Sequence, residues 1–181
     1  MEKGQFIVSL LVSNHSGVLM RVTSLFSRRA FNIDSLTVGV TEDEALSRIT
    51  IVSHGDAYVK NQIVKQLQKL VDVKKVQLMD PDRIVVRELL LIKIKIQKNQ
   101  LSEITEAVAT YRANVVNLSP ESMIISITGE PAKLNAFMQY IQSYGIIEIC
   151  RTGPTAIGMN GYALANENYF EEEEENGQNV L

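Results

Sequence analysis

The chain has one cysteine, two histidines and no apolar run long enough to cross a bilayer. A single cysteine, Cys150, leaves no intrachain disulfide to form and implies no oxidising compartment. At a strand end it reads as a buried structural thiol. His15 and His54 have no His, Cys or carboxylate neighbours at metal-ligand spacing. Phosphate loops, dinucleotide fingerprints and nucleophile elbows are missing, so no residue pattern proposes an enzyme active site. The first apolar stretch, residues 6–12, is interrupted by Ser13-Asn14-His15-Ser16-Gly17. It is too short for a signal-peptide core or a spanning helix, and a soluble, cytoplasmic protein is expected. Basic charge is also in deficit. Over 181 residues, 18 Lys and Arg stand against 21 Asp and Glu. That balance argues against a chain built to grip nucleic acid, which needs clustered positive charge.

What is present is ordinary for a folded protein: 45% apolar and 22% charged residues exclude global disorder. The acidity is local. Six glutamates and no basic residue follow residue 166, and the chain before them carries a net +3. Residues 161–181 therefore read as an acidic, solvated and disordered tail.

Hydrophobic periodicity organises the rest. Residues 6–12 read as a strand, and Val18, Leu19, Val22, Leu25 and Phe26 then recur at helical spacing. Residues 33–40 and 46–53 read as strands around a polar turn. Asp56 is a candidate N-cap for a helix striped by Val59, Ile63, Leu67 and Leu70, and residues 73–78 close the unit. Asp80-Pro81-Asp82 breaks the pattern, so residues 81–86 read as a linker. Over 87–160 the layout repeats. Strands at 89–96, 115–118, 123–128 and 146–150 frame a helix that Ser102 could cap and another with Pro131 at its first position. Asn32 and Asn114 fall at equivalent places in the two halves.

The fold class is thus α+β: two tandem ferredoxin-like βαββαβ domains, over residues 1–80 and 87–160. At about eighty residues each, the halves bury modest cores. Their open sheet faces and edge strands need partners, so a dimer is expected.

One loop has chemistry. Residues 13–17 join the first strand to the first helix, so backbone N–H groups should face outward at the positive end of the helix dipole. That is a seat for a small carboxylate. Gly17 allows close approach, and the Asn14 side-chain oxygen could accept from an ammonium group. Plain helix capping, with Ser16 as N-cap, accounts for the same residues. Asn32 likewise reads as a ligand or as a left-handed C-cap. The matching loop of the second half, residues 97–101, has no glycine, which favours a site in the first half alone.

The run Asn14-His15-Ser16-Gly17-Val18-Leu19-Met20-Arg21-Val22 resembles the regulatory small subunits of acetolactate synthase (acetohydroxyacid synthase). So does Leu25-Phe26-Ser27-Arg28-Arg29-Ala30-Phe31-Asn32-Ile33-Asp34-Ser35-Leu36-Thr37-Val38. Ile147-Glu148-Ile149-Cys150-Arg151-Thr152-Gly153 extends the likeness into the second half. The resemblance implies that residues 1–80 form an ACT domain, an amino-acid-sensing fold that dimerises. It implies effector residues at Asn14, Gly17 and Asn32, with Val18 and Ile33 supplying backbone and apolar walls. The implied partner is the catalytic large subunit, which carries thiamine diphosphate, Mg²⁺ and FAD; this chain would need no cofactor. The implied role is to activate that subunit and make it sensitive to a branched-chain amino acid, valine above all. A stand-alone ACT-type sensor acting on a different enzyme is the alternative, and co-purification with a thiamine-diphosphate enzyme separates the two. A pair of RNA-binding units shares the layout but needs exposed aromatics on its sheet, and strands 46–53 and 123–128 have none.

Overall fold

In the computed structural model, residues 4–97 and 99–164 are described. The first half runs β1 (Gln5–Ser13), α1 (Val18–Arg28), β2 (Ser35–Val40), β3 (Leu46–His54), α2 (Ala57–Leu67) and β4 (Val73–Leu78). Its four strands lie in the order β2-β3-β1-β4, all neighbours antiparallel. Strand alternation sends Phe6, Val8, Leu10 and Val12 of β1 to one face. There they meet Val18, Val22, Leu25 and Phe26 of α1 and Ile63 and Leu67 of α2, which form the first core.

The second half repeats this with β5 (Ile84–Lys95), α3 (Leu101–Thr110), β6 (Asn114–Leu118), β7 (Ser122–Gly129), α4 (Pro131–Ile141) and β8 (Ile146–Arg151). The strand order is β6-β7-β5-β8, and Leu90, Ile92 and Ile94 pack under Ile104, Leu134 and Phe137. Both halves are therefore ferredoxin-like βαββαβ units, as the periodicity predicts. The equivalence extends to the helix ends. Ala30 (φ 55°) and Arg112 (φ 52°) take the left-handed position after α1 and α3. The next residue in each half, Phe31 or Ala113, donates back to the carbonyl of Phe26 or Val108.

The structure departs from the sequence expectation after the first half. β5 begins at Ile84, well ahead of residue 89, because Ile84–Arg87 pair with an additional strand, β9 (Thr155–Gly158). This two-stranded ribbon lies on the open face of the first sheet. Ile84 and Ala156 pack there with Ile7, Val52, Met79 and Tyr162 in a third apolar cluster. Part of the face expected to need an outside partner is thus covered from within the chain. The tail expected from residue 161 is corrected too. Tyr162 and Leu164 are buried. The Tyr162 hydroxyl accepts from the Asp80 N–H (3.2 Å) and donates to the Leu78 carbonyl (3.1 Å). The six tail glutamates lie outside the described residues.

Caps divide as well. Asp56 does cap α2, accepting from the Val59 N–H at 2.9 Å, and Pro131 opens α4. Ser102 caps nothing: it lies inside α3, whose first turn begins from Gln100 with no side-chain cap. Cys150 is exposed rather than buried, because β8 is an edge strand and Cys150 stands on it opposite Leu91. Among the described residues, no helix is long and apolar enough to cross a membrane.

Candidate functional site

β1 ends where two backbone hydrogen bonds fix the following loop. Ser13 N–H donates to the Asp72 carbonyl (2.9 Å) and Asn14 N–H to the Ala45 carbonyl (2.7 Å). The Asn14 side-chain NH₂ donates to the Glu44 carbonyl at 2.8 Å. This sets the amide orientation and leaves Oδ1 as the group an ammonium could meet. Ser16 is not the N-cap. Gly17 is, in the left-handed region (φ 88°, ψ −14°), and no side chain caps the first turn of α1. The orphan N–H groups there keep their capacity for an anion.

A charged group borders this turn. Asp72, just before β4, forms an ion pair with Arg21, its Oδ2 standing 2.7 Å from Nε, and its Oδ1 lies 3.1 Å from His15 Nε2. The other ring nitrogen of His15 faces the Ser16 carbonyl at 3.0 Å. Sequence reasoning left Arg21 and Asp72 out of the site. The available signal was Arg21 one helical turn after Gly17, off the apolar stripe.

Asn32 and Ile33 lie elsewhere. Asn32 is not the C-cap, since Ala30 takes that conformation. Its carbonyl accepts from Ser53 Oγ (2.6 Å) and its NH₂ donates to Asp34 Oδ1 (2.6 Å). Asp34 in turn contacts His54 through its other carboxylate oxygen. Ser53 and His54 end β3, whereas Ala45 precedes it. Asn14 and Asn32 therefore sit at opposite ends of one sheet, about 25 Å apart at the rise of a strand. Gly17 and Asn14 come together within the chain, and Asn32 and Ile33 do not join them. Val18 is buried in the core, so only its backbone faces the loop. Ile33 is half-buried and packs against that core.

A separate cavity of about 420 Å³ lies between the β5–β9 ribbon and the start of α4, lined in part by Ile7, Val52, Val86, Arg87 and Glu130. Its walls are mainly apolar, and its charged groups, Arg87 and Glu130, face each other at 3.5 Å. Among the described residues, no group of three or more His, Cys, Asp or Glu side chains is placed to hold a metal.

Comparison with known proteins matches the chain in two places. Residues 8–75 fit the "AHAS small subunit-like ACT domain" family, and residues 87–160 the "Small subunit of acetolactate synthase" family. A probable acetolactate synthase small subunit from Methanothermobacter thermautotrophicus is 42% identical, over 91% of this chain and 98% of its own length. The acetolactate synthase small subunit of Bacillus subtilis is 43% identical, over 90% of this chain and 95% of its own. The crystal structure of the Thermotoga maritima acetolactate synthase small subunit superposes with a TM-score of 0.82 at 40% identity. It covers 87% of this chain and 99% of that one. With both halves matched and the order of elements shared, the chain belongs to the acetolactate synthase small-subunit family.

Proposed function

We propose that this chain activates the catalytic large subunit of acetolactate synthase in the cytoplasm and confers feedback inhibition by a branched-chain amino acid, valine first. Catalysis, with its thiamine diphosphate, Mg²⁺ and FAD, belongs to the large subunit. One observation carries the effector reading: the candidate site residues stand at the two ends of an open edge strand. Among the described residues β2 pairs with β3 alone, and Val38 and Val40 on it are exposed. Two copies pairing antiparallel through β2 set the start of one β2 beside the end of the other. The Asn14–Gly17 loop of one copy then approaches Asn32 and Ile33 of the second, and one site forms from two half-sites. Valine fits that seat by chemistry: carboxylate on the first turn of α1, ammonium on the Asn14 oxygen, isopropyl group against an apolar wall. Binding favours one arrangement of the dimer, and couplings of this kind are about 1–3 kcal/mol.

The test is an acetolactate synthase assay of the large subunit with and without this chain, titrated with valine, leucine and isoleucine. Sedimentation of the chain alone accompanies it. The expected result is a dimer that raises activity and makes it fall with valine. Activity independent of the chain overturns the regulatory role, and a monomer in the presence of valine overturns the two-copy site.

A further inference from the structure

We propose that Arg21 receives the carboxylate of the amino-acid effector, and that Asp72 holds its guanidinium in place to do so. The inference rests on the effector reading above and names a side chain that reading did not contain. A guanidinium has five N–H donors in a planar fork. On its Nε side Arg21 is held by an ion pair with Asp72, whose Oδ2 stands 2.7 Å away. Among the described residues, no acceptor takes the hydrogens on Nη1 and Nη2. Nη2 lies beside Gly17. A Cβ placed on that residue would stand 3.8 Å from Nη2 and 3.9 Å from Cζ of Arg21. The space that a side chain at position 17 would fill is therefore bordered by a guanidinium with donors to spare. The uncapped first turn of α1 borders the same space.

Charge agrees with this geometry. Asp72 is mostly covered, with 16% of its side chain exposed, while Arg21 is half exposed. The carboxylate that would otherwise repel an arriving anion is already paired, and the cation is the outer member of the pair. A carboxylate on the orphan N–H groups then gains a charge-assisted hydrogen bond from Nη2. An effector lacking the carboxylate gains nothing from Arg21. Asp72 acts through Arg21 and is a positioning residue.

The test compares L-valine with L-valinamide, which keeps the side chain and the amine but has no carboxylate. Calorimetric titration uses the full chain as wild type, Arg21→Gln, Asp72→Ala and Asp72→Asn. Arg21→Gln is expected to weaken valine about tenfold, the scale of one hydrogen bond to a charged group at a half-exposed site. It should change valinamide by no more than about twofold on the same scale. Asp72→Ala should lose the same preference for valine, and Asp72→Asn, which keeps a side chain of the same shape beside Nε but not its charge, should recover only part of it. The ¹³C resonance of bound valine labelled at its carboxyl carbon should move in Arg21→Gln. Equal losses for both ligands would make Arg21 merely structural, and an unmoved resonance or unchanged valine affinity would overturn the assignment. A wild-type chain that binds neither ligand overturns the effector reading, and this assignment with it.

Discussion

Gly17 fixes what the loop between β1 and α1 can hold. Its φ of 88° is a conformation that a Cβ makes costly, and among the described residues, apart from the adjoining backbone of the loop and helix, only the Arg21 side chain comes within 4 Å of the place where that Cβ would stand. Two substitutions separate strain from occupancy. Gly17→Ala should cost about 1 kcal/mol of stability, read from urea unfolding, and weaken valine only modestly. Gly17→Asp carries the same strain and adds a carboxylate where the ligand's own carboxylate would sit, so valine inhibition of the reconstituted enzyme should vanish. Full inhibition in Gly17→Asp would remove the effector from this turn. Single residues were only partly legible in the sequence. Gly17 is legible because glycine beside a helix start has a physical meaning. Asn32 reads as a left-handed cap because asparagine tolerates that conformation. Alanine does so less readily, yet the tight turn after α1 puts Ala30 there, and sequence gives no mark of it.

At the scale of elements, local chemistry decides which helix starts are held by side chains. Asp56 stands in extended backbone (φ −77°, ψ −177°) with its carboxylate on the Val59 N–H, so Asp56→Ala should cost about 1 kcal/mol. Ser16, which occupies the cap-like place in sequence, accepts nothing from the first turn of α1. Ser16→Ala should therefore change the unfolding free energy read from urea by no more than about 0.3 kcal/mol, within the usual surface range. A Ser16 loss as large as that of Asp56 would restore the capping explanation of the loop. The two repeated units were legible because each combines a period of two with a period of 3.6 over whole elements. β9 was not. It has four residues, and only Ala156 among them is buried, so it shows no alternation to read. Its partner run in β5, Ile84-Val85-Val86, is β-branched and strand-like, but Asp80-Pro81-Asp82 just before it has the composition of a linker.

Over the whole molecule, the return of the chain from β8 ties the second unit to the edge of the first. Arg151, at the end of β8, grips buried Glu88 with two hydrogen bonds of 2.7 and 2.6 Å. The chain then passes Gly153 and Pro154 to β9, where the Ala156 carbonyl accepts from Arg48 Nη2 at 2.8 Å. Arg48 lies under this ribbon, and burial lowers its pKa from the ordinary arginine value. The Pro154 carbonyl meets the Thr37 hydroxyl of β2 at 3.4 Å. Gly153 lies against Ser35 of the same strand: a Cβ on it would stand 2.6 Å from Ser35 Cβ, in a residue whose φ is already 78°. The strand proposed to pair with a second copy is thus in direct contact with the segment leaving the second unit, so a displacement of β2 has a physical route to it. Gly153→Ala should cost about 2–4 kcal/mol, combining left-handed strain with overpacking. Ser35→Gly alone should cost about 1 kcal/mol, the ordinary loss for glycine in a strand. If their side chains collide, the double variant should unfold at a higher urea concentration than additivity allows, because removing Ser35 Cβ makes room for the new methyl. Strict additivity would mean that Gly153 is required only by its own backbone and that β2 does not feel the strap at this point.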